Sequence, residues 1–168
     1  MRWVFEKIWK MIGWEAIGDV PRALDKYIVI VVPHTSNWDF IIGVLARGVV
    51  GFDSKFLGKH SLFKPSFGWV FRKLGGYPVD RTKKGKLVDQ VVALYRNHSR
   101  FVVSLAPEGT RKSVSEWKTG FYFIALKAGI PIVPVKMDRI HKKVVFYAPY
   151  WPSGQIEKDL PELQKILS

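Results

Sequence analysis

The sequence predicts an α/β layered domain, with a mostly parallel or mixed central sheet flanked by helices and an amphipathic helix at the N-terminus. Two observations carry that prediction. Tyr27 to Val32, Phe101 to Leu105 and Ile130 to Val135 are short, β-branched and nearly continuously apolar, as strands covered on both faces are. Between them lie stretches whose apolar residues recur at helical spacing, and alternating strands and helices build layered sheets. No repeat, low-complexity tract or linker divides the chain, so residues 1–168 read as one domain, and an apolar share of 48% suffices for a packed core.

The elements follow in order. Residues 1–14, MRWVFEKIWKMIGW, lack the small-residue cleavage site of a signal peptide and read as part of the mature protein. At about 100° per residue, Val4, Phe5, Ile8, Met11 and Ile12 share one arc and Arg2, Glu6, Lys7 and Lys10 the opposite one. Two readings stay open: a helix lying in a membrane headgroup layer, or a terminal helix packed on its own domain. The strand of residues 27–32 stops at Pro33, and a helix begins near Ser36 and runs on through Phe40 to Arg47. In GGYPVDR, residues 75–81, a glycine pair precedes a short strand. Lys84 to His98 places Leu87, Val91, Leu94 and Tyr95 on one helical side. Ser113 and Glu116 have capping-box spacing for a third helix over 116–128, with Gly129 and Pro131 as its stop. Lys143 to Tyr147 reads as a late strand, and Leu160 to Leu167 as a closing helix entered through Pro161.

Charge narrows the partners. There are 27 Lys and Arg against 14 Asp and Glu, a formal charge of +13, which points to nucleic acid, lipid headgroups or phosphorylated substrates. Basic residues between 55 and 86 are interleaved with Phe56, Phe63, Phe67, Trp69 and Phe71, a mixture suited to membrane contact. No RNA-binding or zinc-finger signature is present, so nucleic acid is not the expected partner. The absence of cysteine removes disulfides, thiolate zinc sites and any cysteine nucleophile, and it fits a reducing compartment. The most apolar runs, residues 27–33 and 40–52, fall short of the ~20 residues a membrane span needs.

Three polar constellations stand out. In open sheets of this class, sites form beyond the carboxyl ends of strands, where His34 and Glu108 would lie. If His34 sits on the turn and Asp39 in the first helical turn, the carboxylate orients one imidazole nitrogen and the other takes a proton from a hydroxyl. The structural alternative is that Asp39 merely caps the helix with Ser36 while His34 is a turn residue. Arg81 closes GGYPVDR and is followed by lysines: it either grips a phosphate or belongs to a solvated basic face. In APEGTR, residues 106–111, Gly109 permits close backbone approach and Thr110 donates. Arg111 would pair with phosphate, and Glu108 would bind a hydroxyl or hold an arginine. A turn with an internal Glu–Arg pair is the alternative. His60, His98 and His141 lack an acid at comparable spacing and read as surface residues.

In this order HTSNWD, GGYPVDR, APEGTR and IPIVPV resemble the four blocks of the glycerolipid acyltransferase family, which includes the lysophosphatidate acyltransferases. The resemblance spans about residues 29–136 and rests above all on the His-four-residues-Asp block followed by Glu-Gly-Thr-Arg. It implies O-acyl transfer from acyl-CoA or acyl carrier protein to a hydroxyl of a phosphorylated lipid acceptor, with no covalent acyl-enzyme, no metal and no further cofactor. It implies His34 as base, Asp39 as its orienter and Arg81 as a phosphate ligand. Glu108, Gly109, Thr110 and Arg111 would complete acceptor binding, and residues 130–134, Pro131 among them, would shape the site. An anionic membrane surface and a cytoplasmic, peripheral position on the inner face of a membrane are the expected setting. Ala106 replaces a phenylalanine common among relatives, and Tyr77, Pro78 and Val79 precede the Asp-Arg pair, so acceptor shape is open. The competing expectation is a non-enzymatic basic module for anionic membrane or nucleic acid, whose binding would ignore His34 and Asp39.

Overall fold

A computed structural model describes residues 2–34, 36–64, 68–80, 86–109 and 116–168. These form, in chain order, α1 (Arg2–Ile12), β1 (Glu15–Ile17), β2 (Lys26–Val32), α2 (Asn37–Val50), β3 (Lys55–Lys59), a 3-10 turn (His60–Phe63), α3 (Gly68–Lys73) and β4 (Gly76–Val79). They continue with α4 (Leu87–Asn97), β5 (Phe101–Leu105), α5 (Gly120–Ala128), β6 (Ile132–Asp138), β7 (Lys143–Phe146) and α6 (Ile156–Leu167).

The strands make one seven-stranded sheet in the order β1-β7-β6-β2-β5-β3-β4. Every pairing is parallel except β6 with β7, which a short turn joins antiparallel. Central β2 shows why the sequence reads as a buried strand. Ile28 and Ile30 point into one apolar layer with α4, α5 and α6, while Tyr27 and Val29 point into the other with α1 and α2. Both faces of the strand are covered, so no polar alternation survives in its sequence. In register, Ile28 lies beside Ile132, and Val29 beside both Val133 and Ser104. The carboxyl ends of β2, β5 and β6 therefore meet at one rim of the sheet.

The N-terminal helix packs on the domain. Trp9 is buried, Phe5 sits where Gly48 of α2 leaves room for a ring, and Ile12 is half-buried. The other flank of the apolar arc, Val4 and Met11, stays exposed together with Trp3. Among the described residues no helix is long and apolar enough to cross a membrane.

The structure corrects two expected boundaries. Helix α5 begins at Gly120, so Glu116 precedes it and cannot complete a capping box; Ser113 lies outside the described residues. Helix α6 begins at Ile156, so Pro161 falls inside it rather than at its entry. The missing proline N–H costs one intrahelical bond to the exposed Glu157, and the anchoring of Asp159 described below starts the helix early. The short strands β1 and β3 were not foreseen. EAI offers three residues, and KFLGK holds two lysines and a glycine with half-buried neighbours.

Candidate active site

Strand β2 ends at a cis Val32–Pro33 bond, and His34 follows at the rim. Ser36 adopts extended backbone, and its hydroxyl accepts the Trp38 N–H at 3.2 Å, opening α2 as an N-cap. The Asp39 carboxylate accepts the Ser36 N–H at 2.8 Å, closing the reciprocal capping box. The same Oδ2 atom lies 3.6 Å from His34 Nδ1. Capping and pairing are thus one arrangement, because Asp39 must stand in the first helical turn to do either. At 3.6 Å the contact is within ion-pair range and longer than a hydrogen bond. The imidazole is 29% exposed and the carboxylate 1%, so the ring has a buried partner behind it and solvent access in front.

The APEGTR loop reaches the same point. Glu108 is buried, and its Oε2 accepts the main-chain N–H of His34 at 2.7 Å. This use of Glu108, fixing the histidine's backbone, adds to the roles expected of it. Gly109 has φ +65°, and a Cβ there would lie 2.6 Å from the Lys118 side chain and 2.9 Å from its Nζ. Glycine at this point therefore lets an ammonium lie across the loop. Thr110 and Arg111 lie outside the described residues, as does Arg81. The chain leading to Arg81 is held, however: the Gln90 side chain brackets Asp80, accepting its N–H and donating to its carbonyl at 3.1 Å each.

Pro131 is not brought to this rim. It precedes β6, beside the start of β2, where its carbonyl accepts the Ile28 N–H. Seven residues of chain separate that level from His34, roughly 20 Å at a strand's rise. The parallel register makes Pro131 a buried packing residue at the far end of the sheet.

The structure adds Arg139, which nothing in the motifs singled out. It follows β6 at the rim, and its Nε donates to Asp39 Oδ1 at 2.8 Å while Nη2 contacts the same oxygen. Its only sequence signal is its place, one residue past a strand parallel to β2. His141 is paired after all: Asp138 accepts its main-chain N–H at 2.9 Å and meets its ring at 2.7 Å. Those two hydrogen bonds, the main-chain one foremost, hold the Asp138 carboxyl below its ordinary range. His98 is half-buried, stacked on Phe101 with ring centroids 4.8 Å apart. No group of three or more potential metal ligands occurs among the described residues.

A buried carboxylate, a half-exposed imidazole and the order of the blocks along the chain raise the question of kinship. A sequence profile of the Acyltransferase family matches residues 15–138, most of the chain, including His34, Asp39 and Glu108. The chain belongs to the acyltransferase family.

Named relatives agree. A 1-acyl-sn-glycerol-3-phosphate acyltransferase of Salmonella typhimurium is 30% identical over 149 residues, covering 84% of this chain and 60% of that protein. Proteins of the same description are 29% identical in Escherichia coli over 84% of this chain and 60% of theirs, and 30% identical in Saccharomyces cerevisiae over 72% and 41%. This acyltransferase-family chain thus spans about 60% of the length of the bacterial relatives. The crystal structure of the 1-acyl-sn-glycerophosphate acyltransferase PlsC from Thermotoga maritima shares the fold. The TM-score is 0.68 at 20% identity, covering 99% of this chain and 74% of that one.

Proposed function

We propose that this chain is a peripheral membrane O-acyltransferase. It moves a fatty acyl group from a thioester donor, acyl-CoA or acyl carrier protein, to a hydroxyl of a glycerolipid-type acceptor such as 1-acylglycerol 3-phosphate. The observation that carries the reading is the His34–Asp39 pair, 3.6 Å apart, with a buried acid behind a half-exposed ring. The relatives' names supply the reaction class.

The chemistry follows from that geometry. Asp39 faces Nδ1, which leaves Nε2 to take the proton of the acceptor hydroxyl. The resulting alkoxide character lets the oxygen attack the thioester carbonyl. The tetrahedral intermediate then expels the thiolate, which takes the proton back from the imidazolium. Asp39 stabilises the imidazolium while it lasts, and Glu108 keeps the histidine backbone from drifting. No cofactor enters these steps, since the donor is a substrate. Arg81, Thr110 and Arg111 are assigned to the acceptor's phosphate by their place in the blocks.

Exposed Trp38 and Ile41 flank Asp39 on α2 and give the site a greasy border suited to a lipid surface. With a charge of +13, the matching surface is anionic, and the inner face of a membrane is its natural place. The test supplies purified protein with acyl-CoA or acyl carrier protein donor and 1-acylglycerol 3-phosphate, and follows release of free thiol together with the diacylated product by mass spectrometry. Product formation that depends on the acceptor supports the reading. Salt-sensitive vesicle binding without product from either donor would instead favour a purely basic binding module.

A further inference from the structure

Arg139 opens the turn between β6 and β7, at the end of the strand directly beside β2. Its guanidinium places Nε and Nη2 on Asp39 Oδ1, while Oδ2 serves the Ser36 N–H and faces His34 Nδ1. One carboxylate oxygen is therefore given to a permanent cation and the other to the imidazole. We infer that Arg139 is a positioning residue for acyl transfer: it acts through Asp39, fixing the carboxylate so that Oδ2 faces His34 and drawing part of its charge away from the ring. The inference rests on the reading of His34 as the base.

The physical case has two parts. A carboxylate only 1% exposed has lost most of its hydration, and the guanidinium replaces it. A base must also be neutral to accept a proton. A buried Asp39 with no other cation would bind the imidazolium too well and leave less neutral histidine at a given pH. Arg139 balances these demands, partnering the buried carboxylate and moderating its hold on the ring.

The turn that carries Arg139 is itself built. Asp138 grips His141 through both its main-chain N–H and its ring, and Lys142 takes φ 52°, a left-handed conformation. The Lys142 ammonium donates to the Ile12 carbonyl at 3.1 Å, and its own carbonyl accepts the Glu15 N–H at 2.9 Å. Arg139 is 39% exposed in its side chain, so replacing it does not open a core cavity. Among the described residues, the charged groups that touch His34 or its partners are Asp39 of α2, Glu108 after β5 and Arg139 in the turn, with Lys118 lying across Gly109 and Asp138 paired to His141 beside Arg139.

The test is an NMR titration of the His34 ring, assigned by loss of its signal in His34→Ala, in wild type, Arg139→Ala, Arg139→Lys, Asp39→Asn and Asp39→Asn/Arg139→Ala. The midpoint should rise by about one pH unit in Arg139→Ala and move partly back in Arg139→Lys. It should differ little between Asp39→Asn and the double variant, because Arg139 acts through Asp39. With acyl-CoA and 1-acylglycerol 3-phosphate, kcat of Arg139→Ala should fall about tenfold near neutral pH with KM within about twofold. Arg139→Gln, which keeps the stem, carries the same expectation should alanine unfold the protein. An unmoved midpoint in Arg139→Ala or Arg139→Gln, or an equal shift with and without Asp39, overturns the inference. Full activity of His34→Ala is a separate outcome: it overturns the base, and the titration still decides whether Arg139 acts on the pair.

Discussion

At the residue scale the account turns on what each carboxylate holds. Asp39 is shared among a helix cap, an imidazole and a guanidinium, while Glu108 holds only the His34 main chain among the contacts described. A buried hydrogen bond to a charged acceptor contributes about 1.5–3 kcal/mol, and the donor freed by its loss is the backbone of the proposed base. Glu108→Ala should therefore lower kcat by about ten- to a hundredfold with little change in the far-UV circular dichroism spectrum. An unchanged rate would show that the loop is only a scaffold. At this scale the sequence was legible in part. His34 and Asp39 could be paired because a helix beginning at Ser36 sets their spacing, and Glu108 could be placed at a strand end. Arg139 could not be found, since its link to Asp39 spans a hundred residues and exists only through the β2–β6 register.

At the element scale, the strands with both faces buried announce themselves, edge strand β4 shows through its glycine pair, and the short edge strand β1 and lysine-ended β3 do not. β2 and β5 are apolar but for Lys26 and Ser104, because each packs on two helical layers. Edge strand β4, GYPV, tolerates a proline, and β3 carries a lysine at each end. Helix α6 shows a tertiary contact overriding a local signal. Asp159, 1% exposed, accepts the Tyr122 hydroxyl at 2.7 Å, the Tyr150 hydroxyl at 2.9 Å, and the Ser153 N–H and hydroxyl at 2.7 and 2.8 Å. Burial works to raise the Asp159 carboxyl, but these bonds, that of Tyr122 foremost, outweigh it and hold the group below its ordinary value. The sign follows: its contribution is fully present above the unfolded carboxyl's ~3.9 and is lost as pH falls through the lower folded value. Asp159→Ala should cost on the order of 3 kcal/mol in urea unfolding at pH 7, because several buried donors lose their acceptor. The gap between wild type and variant should narrow in acid, and a gap constant with pH would contradict this description. Burial, and then Asp159, push the Tyr122 phenol up to about 12, so its share of stability is present below ~10 and fades as pH rises toward the folded value. Tyr122→Phe should accordingly lose less stability than wild type between pH 9 and pH 11, on the order of those values. Gly18 offers a backbone test: at φ +82° an added Cβ meets the Phe146 carbonyl. Gly18→Ala should destabilise by at least about 1 kcal/mol, read as a shifted urea midpoint at constant slope.

At the scale of the whole molecule, charge and greasy exposure coincide. Trp3, Val4 and Met11 project from α1, Trp38 and Ile41 border the site, and Leu62 and Trp69 stand among the basic residues Lys59, Lys64, Arg72 and Lys73. Such a surface suits a lipid headgroup layer, with aromatic rings at the interface and cations toward anionic heads. Flotation with phosphatidylserine-containing vesicles should therefore exceed flotation with neutral vesicles and weaken as salt rises. Trp3→Ala/Met11→Ser should reduce it about tenfold while the fold, read by thermal melting, holds. Equal binding by the variant would move the membrane contact away from α1. Whether α1 packs or projects was undecidable from its periodicity, since one apolar arc serves both uses: Trp9 and Phe5 face the domain, and Val4 and Met11 do not.

The measurement that bears most directly on the central claim is the single-turnover rate of acyl transfer to 1-acylglycerol 3-phosphate by wild type and by folded His34→Ala, with product resolved by mass spectrometry. A base held by Asp39 predicts that the substitution lowers the rate by about a hundred- to ten-thousandfold while donor binding persists. Transfer by His34→Ala at the wild-type rate would contradict the account.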